Sequence, residues 1–264
     1  MIVVFILAVA LIGIAVVLAL RAALGAAAKK NAVLAQLSAY GFGTATPRAR
    51  REPDALQTKE IVKDIGDRLI HRLAPGQVRE LRQLLNSAGY YQTTVAQYLG
   101  YRAIAAVGLP AAVLFLFVLG GGIGVMAILL TIIAVGAGVL LPKTLVESRA
   151  RQRTAKIDYE VPELVDLLVT TIEAGVGFGS ALQICARRVR DPLGSELRLT
   201  LGEQSMGLTM TDALTNMLER TNRSVSMRAF VQSIVQGESL GVSIGKTLRD
   251  LAVDMRKRRR QAAE

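Results

Sequence analysis

The sequence predicts an all-α membrane protein: an N-terminal transmembrane helix, a transmembrane helical hairpin and a cytoplasmic six-helix bundle. Three observations predict it. Of 264 residues, 52% are apolar and only 20% charged, with no tryptophan and a positive mean hydropathy, outside the composition of ordinary soluble domains. Charge is partitioned, because residues 1–20 and 103–142 hold none, and residues 21–102 and 143–264 hold all of it. Finally, a glycine-led pattern recurs three times near the C-terminal end, with apolar residues at helical spacing between its copies.

The first element is residues 1–20. Nineteen uncharged residues from Ile2 to Leu20 make about 28 Å of helix, close to a hydrocarbon core of about 30 Å. A cleaved signal peptide is the competing reading. No lysine or arginine precedes the apolar run, which favours an anchor, while Ala-rich residues 22–28 keep a cleavage site open.

Residues 21–102 carry 13 basic and 6 acidic side chains and are expected to be cytoplasmic with two short helices. Ile61, Ile65, Leu69 and Leu73 share one helical face. Val78, Leu81, Leu84 and Leu85 share another, and Gly89 stands as that helix's C-cap. His71, on the first of these helices, reads as a surface or interface residue.

The 39 uncharged residues from Ala103 to Leu141 would make about 58 Å of continuous helix, twice the core thickness. Two spans are therefore expected, at 103–119 and 123–141, turning at Gly120–Gly122. Pro110 is expected to kink the first span and Pro142 to end the second. Tyr90, Tyr91, Tyr98 and Tyr101 crowd the approach and suit an aromatic belt at the headgroups. With basic excess in both charged segments, the N-terminus and the glycine tip lie outside and both charged segments inside.

Residues 143–264, with the folded domain at about 158–262, carry the repeated pattern. Its copies begin at Gly175-Val176-Gly177-Phe178, Gly207-Leu208-Thr209-Met210 and Gly241-Val242-Ser243-Ile244, each followed by Ala or Thr and then Leu. Each reads as one helix ending on a left-handed glycine and the next starting at once, with Thr209 or Ser243 as cap. Gly175, Gly207 and Gly241 are thus structural helix corners. Helices are expected at about 160–174, 178–190, 192–206, 210–220, 224–240 and 244–262. Met206, Met210 and Met217 are expected to fill core gaps. A helical solenoid is the alternative architecture, though no tetratricopeptide or ankyrin consensus is present.

Chemistry-bearing motifs are missing from the sequence. One cysteine and one histidine give neither a disulfide nor a zinc cluster, and no GxxxxGK[ST], GxGxxG after a strand, HExxH or GxSxG occurs. No cofactor, metal or catalytic residue is therefore expected. Two charged features remain as candidates. Glu160, Glu163, Asp166 and Glu173 line one helix and suit either solvent or a partner surface. The run Arg256, Lys257, Arg258, Arg259 and Arg260 encircles a helix and suits anionic headgroups better than a single nucleic-acid reading face.

The C-terminal residues resemble the bacterial type II secretion F-domain family, in the branch serving tight-adherence (Tad/Flp) pili and closest to the TadC type. The resemblance rests on Val161-Pro162-Glu163-Leu164-Val165-Asp166-Leu167-Leu168, Glu173-Ala174-Gly175, Asp191-Pro192-Leu193-Gly194 with Glu196-Leu197, Gln236-Gly237-Glu238-Ser239-Leu240-Gly241, and Met255-Arg256-Lys257-Arg258-Arg259-Arg260-Gln261-Ala262. It implies a cytoplasmic F-domain bundle and a non-enzymatic, multi-pass platform protein of the bacterial inner membrane. Such a platform couples a cytoplasmic hexameric secretion ATPase to insertion or extraction of pilin subunits, as a homo-oligomer or beside a paralogous F-domain protein. It also implies a further transmembrane helix after the Arg-rich run, where this sequence stops at Glu264. A small transporter or stand-alone membrane scaffold, and a membrane-tethered nucleic-acid binder, are the rival classes. Uncharged spans oppose the transporter, and the partition of charge by membrane topology opposes the nucleic-acid binder.

Overall fold

The structure is a computed structural model that describes residues 66–70, 73–91, 93–119, 124–240 and 243–261. The expected N-terminal span, His71, the tip Gly120–Gly122 and the corner Gly241 lie outside the described residues. Among the described residues every regular element is helical: α1 (Pro75–Ser87), α2 (Val95–Leu119), α3 (Val125–Glu173), α4 (Phe178–Arg188), α5 (Leu193–Ser205), α6 (Met210–Arg220), α7 (Val225–Ser239) and α8 (Ile244–Gln261). A short helical stretch at 66–70 precedes them. The chain divides into two compact units, with α3 contributing residues through Arg149 to the first and from Ala150 to the second.

In the first unit α1 starts on Pro75, whose missing N–H has no helical partner to lose at that position. It is closed by Gly89, which adopts φ +85°, and the stretch Asn86–Gly89 counts with the second unit. The Gly89 N–H donates to the Asn86 carbonyl and the Tyr90 N–H to the Leu85 carbonyl, the paired bonds of a left-handed glycine cap. α2 opens with a capping box: Gln97 N–H donates to Thr94 Oγ1 and Thr94 N–H to Gln97 Oε1, both at 3.2 Å. This cap starts the helix eight residues before the span expected from charge alone. As a result Tyr98 sits inside the unit at 1% exposure and Tyr90 is buried. Tyr90 also lies under the Arg149 guanidinium, 5.0 Å from its ring centre. These two rings pack against protein, a correction to the aromatic-belt expectation.

α2 and α3 each contain a stretch long and apolar enough to cross a membrane. Val107, Leu114, Phe115 and Val118 on α2, with Ile128, Leu129, Ile132, Ile133 and Leu140 on α3, leave apolar side chains exposed, as a lipid-facing surface requires. Ala105, Leu109 and Val113 on α2 and Ala127 and Ala134 on α3 are buried instead. Gly138 explains the close approach of these faces. A Cβ placed there would stand 2.6 Å from the Ala105 carbonyl oxygen and 3.0 Å from Ala106 Cα, so a small residue is required.

Pro142 does not end its helix, contrary to expectation. α3 runs through both Pro142 and Pro162 to Glu173, 49 residues in all, or about 74 Å. The first bundle helix, expected at 160–174, is therefore the end of this long helix. Proline removes one N–H and crowds the preceding turn, and packing on both sides of it outweighs that loss here.

In the second unit, Ile157, Val161, Leu164, Val165 and Leu168 recur on one face of α3 and are all buried. They pack in one core with Leu182 and Cys185 of α4, Leu193 and Leu197 of α5, Leu214 and Met217 of α6, Met227, Phe230 and Ile234 of α7, and Leu248 and Met255 of α8. Of the three methionines expected to fill gaps, Met217 is fully buried, Met210 is partly so and Met206 is 75% exposed.

Candidate functional site

The geometry of the second unit follows from its helix ends. Gly175 has φ +88° and Gly207 φ +101°, in the left-handed region where a Cβ is strained. Gly175 N–H donates to the Ile172 carbonyl and Val176 N–H to the Thr171 carbonyl. Gly207 and Leu208 repeat the pair on Gln204 and Glu203. At the second corner Asp212 N–H donates to Thr209 Oγ1 (3.1 Å), while the Thr209 hydroxyl donates to Asp212 Oδ2 (2.7 Å). Both described corners are thus closed at the glycine; Thr209 also caps the start of α6 with its side chain, whereas Gly177 gives α4 no side-chain cap.

The corners meet at one end of this unit. A Cβ on Gly179 would lie 3.9 Å from the Met210 methyl, and one on Gly245 would lie 3.4 Å from Ile172. The Thr211 hydroxyl donates to Glu238 Oε2 at 2.5 Å. Met206 and Leu240 stand out from this corner end at 75% and 76% exposure.

The opposite, turn end holds the 189–192 and 221–224 connections. Here the Ser224 hydroxyl donates to Asp158 Oδ1 (2.6 Å), Ser226 N–H donates to the same oxygen (2.9 Å), and Met227 N–H donates to Ser224 Oγ (3.0 Å). Asp158 of α3 therefore helps to cap α7, a carboxylate at the positive end of a helix.

Just inside the turn end lies an ionic network that sequence reasoning missed. Glu196, 1% exposed, accepts from Arg153 of α3 and, at 3.0 Å, from Arg220 Nε of α6. Arg220 also donates to Glu203 and to Thr200 Oγ1, the latter at 3.1 Å, and Asn216 Nδ2 donates to Glu203 Oε2 at 3.2 Å. A charged group so deeply placed is tolerated because it is paired and hydrogen-bonded. One signal was available: Glu196 shares a helical face with Leu193, Leu197 and Thr200. Its partners, 43 and 24 residues away in sequence, left no local trace.

The four candidate acidic residues meet different fates. Glu163 is exposed. Asp166 pairs with Arg256 of α8 at 2.6 Å and Glu173 with Arg249 at 2.9 Å. Arg259 donates to the Tyr159 carbonyl at 3.1 Å and lies 4.9 Å from that ring's centre. From Glu173 through Asp166 to Tyr159, α3 thus carries steps of seven residues that meet α8 in antiparallel order. Such exposed pairs contribute at most about 1 kcal/mol each and mainly fix register. The candidate headgroup run is split accordingly: Arg256 and Arg259 lie against α3, Lys257 is exposed, and Arg258 and Arg260 belong to α8.

Glu160 is half-buried, with Oε2 enclosed and without a hydrogen bond. Burial pushes its carboxyl above the ordinary 4.5, Glu163 adds to the rise and Arg190 opposes it. The folded state then holds this proton to higher pH than the unfolded chain does. The resulting penalty is absent below the unfolded value and grows as pH rises through the folded one. Glu160→Gln is therefore expected to raise the thermal midpoint at neutral pH, with the gain shrinking in acid. Melts of the detergent-solubilised protein at several pH values check it, and a gain that is flat with pH would remove the charge explanation.

Among the described residues no group of three or more His, Cys, Asp or Glu side chains is placed to hold a metal ion. Cys185 is a buried free thiol in the core, and burial raises its pKa. What this unit offers is a set of helix ends and charged faces.

Comparison with curated proteins and with solved structures gives no match. Residues 164–264 match the family described as type II secretion system (T2SS), protein F, which supports placing this segment, from the buried Leu164 of α3 onward, with the F domains of that family.

Proposed function

We propose that the chain is an inner-membrane platform protein of a Tad/Flp type IV pilus-like assembly machine, of the TadC type. In this reading its helical bundle is cytoplasmic, and it couples a hexameric secretion ATPase to insertion or extraction of pilin subunits. The observation that carries the reading is the family match over residues 164–264, in a chain whose α3 contains both a membrane-length apolar stretch and one wall of the bundle core. Chemistry belongs to the ATPase, and the platform turns movement of its bundle into displacement of its spans. A helix shared by both parts suits that task, because bending within a hydrogen-bonded helix is resisted everywhere except at breaks in its ladder.

Glu163 is the acidic candidate best placed for ATPase contact, being exposed and in no intramolecular ion pair among the described residues. Asp166 and Glu173 would act only by exchanging Arg256 and Arg249 for a partner cation. The platform is expected to work as an oligomer or beside a paralogous F-domain protein.

Co-purification from native membranes in mild detergent tests the reading. It is expected to recover a secretion ATPase and a second F-domain protein, and Glu163→Lys is expected to weaken ATPase recovery and piliation. Repeated absence of both partners from folded, abundant protein would overturn the platform reading. Unchanged recovery in Glu163→Lys would remove Glu163 from the contact.

A further inference from the structure

The two ends of the second unit differ sharply in charge. From Ala150 to Glu264 the sequence holds 17 lysines and arginines, and 15 of them fall in residues 150–160, 187–198, 219–228 and 254–264. Fourteen aspartates and glutamates divide evenly, seven in those segments and seven in the stretches between them. The described residues of these four segments meet at the turn end. Asp158 binds Ser224 and the Ser226 N–H, Arg153 and Arg220 converge on Glu196, and Arg259 lies on Tyr159. The intervening stretches meet at the corner end through Thr211 with Glu238 and Glu173 with Arg249. The unit is therefore polar along its length, basic at the turns and acidic at the corners.

Much of this basic charge is not needed for packing. Lys156, Arg187, Arg188, Arg190, Arg223 and Lys257 are all exposed, and they come from α3, from α4 and the turn after it, from the α6–α7 turn and from α8. They form a broad face with no single helix to read a groove. In sequence, Arg151 follows Pro142, at the end of the apolar stretch, by nine residues.

We propose that the turn end of this unit binds the anionic phospholipid headgroups of the membrane that α2 and α3 enter, with Arg187, Arg188 and Arg190 at its centre. A negatively charged leaflet attracts exposed lysines and arginines within about a Debye length. It repels the acidic corner end, so the same surface that attracts one end orients the other away. A diffuse, multi-element cationic face suits a lipid surface, whose charges are many and mobile, better than a discrete phosphate site. This proposal rests on membrane attachment and charge, and stands apart from the secretion reading.

The test uses the full-length protein in nanodiscs of phosphatidylcholine alone or mixed with phosphatidylglycerol, read by amide hydrogen exchange. The 189–192 and 221–224 turns are expected to exchange about fivefold or more slowly in the anionic discs at low salt, the factor one closed lysine or arginine contact would give. High salt is expected to abolish the slowing, and the corners at Gly175 and Gly207 to stay unchanged. The triple variant Arg187→Gln, Arg188→Gln, Arg190→Gln is expected to lose the slowing while its corners exchange as before, showing that the unit remains folded. Equal exchange in both discs, slowing at both ends, or slowing that survives in the triple variant would overturn the proposal. Salt-sensitive protection of the same turns by duplex DNA in neutral discs, without protection by anionic lipid, would also overturn it and assign the face to nucleic acid.

Discussion

Replacing Glu196 by alanine is expected to destabilise the second unit by about 3–5 kcal/mol, among the largest losses a single side chain here can cause. The truncation removes the acceptor between Arg153 and Arg220, two guanidiniums that converge on a carboxylate 1% exposed. Both cations would remain with a diminished set of acceptors, and Glu203 and Thr200 can answer only Arg220. Most of the expected loss is therefore the penalty of mismatched buried charge, and little of it is the net worth of the pairs. Glu196→Gln retains an acceptor and is expected to lose less. Pulse proteolysis in urea on the detergent-solubilised protein, with cleavage mapped to residues 150–261, checks both variants. A loss below about 1 kcal/mol for the alanine variant would mean that water already reaches the network.

Phe230→Ala is expected to cost a similar amount, about 3–5 kcal/mol, for an unrelated reason. The ring is fully buried in the core that gathers α3 to α8, so truncation removes its transfer energy and leaves a cavity that close-packed neighbours fill only in part. The two variants separate by rescue. Phe230→Leu refills most of the volume and is expected to recover more than half of the loss, whereas no apolar residue at 196 restores a counter-charge to Arg153. Chemical denaturation followed by helical circular dichroism measures the series. Equal losses for Phe230→Ala and Phe230→Leu would mean that shape complementarity, and not volume, dominates the site.

Local chemistry explains what could be read from the sequence. A glycine at positive φ two residues before a helix N-cap marks a corner by residue type, so Gly175 and Gly207 were legible, and at the second corner the capping Thr209 marks the start of α6 as well. Asp191-Pro192 and Asn222 to Ser224 marked the intervening turns for similar reasons. Charge marks at Arg102 where an apolar span can begin and says nothing of where its helix begins; the Thr94 and Gln97 capping box carries that information and starts α2 at Val95. Pro142 misled in the other direction: it signals a helix end when only neighbouring residues are weighed, and α3 passes through it because packing on both flanks holds the helix together. The acidic stripe on α3 was legible as a stripe, but its division among Arg256, Arg249 and solvent depends on α8 lying antiparallel beside it, and periodicity carries no information about which helix is the neighbour. The Glu196 network was hidden for the same reason.

The prolines of the hairpin stand in register with the close approach at Gly138. Pro110 offers no N–H to the carbonyl four residues back, that of Ala106, and Pro142 offers none to that of Gly138. Ala106 and Gly138 are residues that touch where α2 and α3 cross. Two missing rungs therefore sit side by side, in an apolar setting where an open carbonyl is unfavourable and any polar hydrogen is drawn to it. The backbone ladder of each helix is thus thinnest where the two approach, so a bend placed there would break the fewest hydrogen bonds.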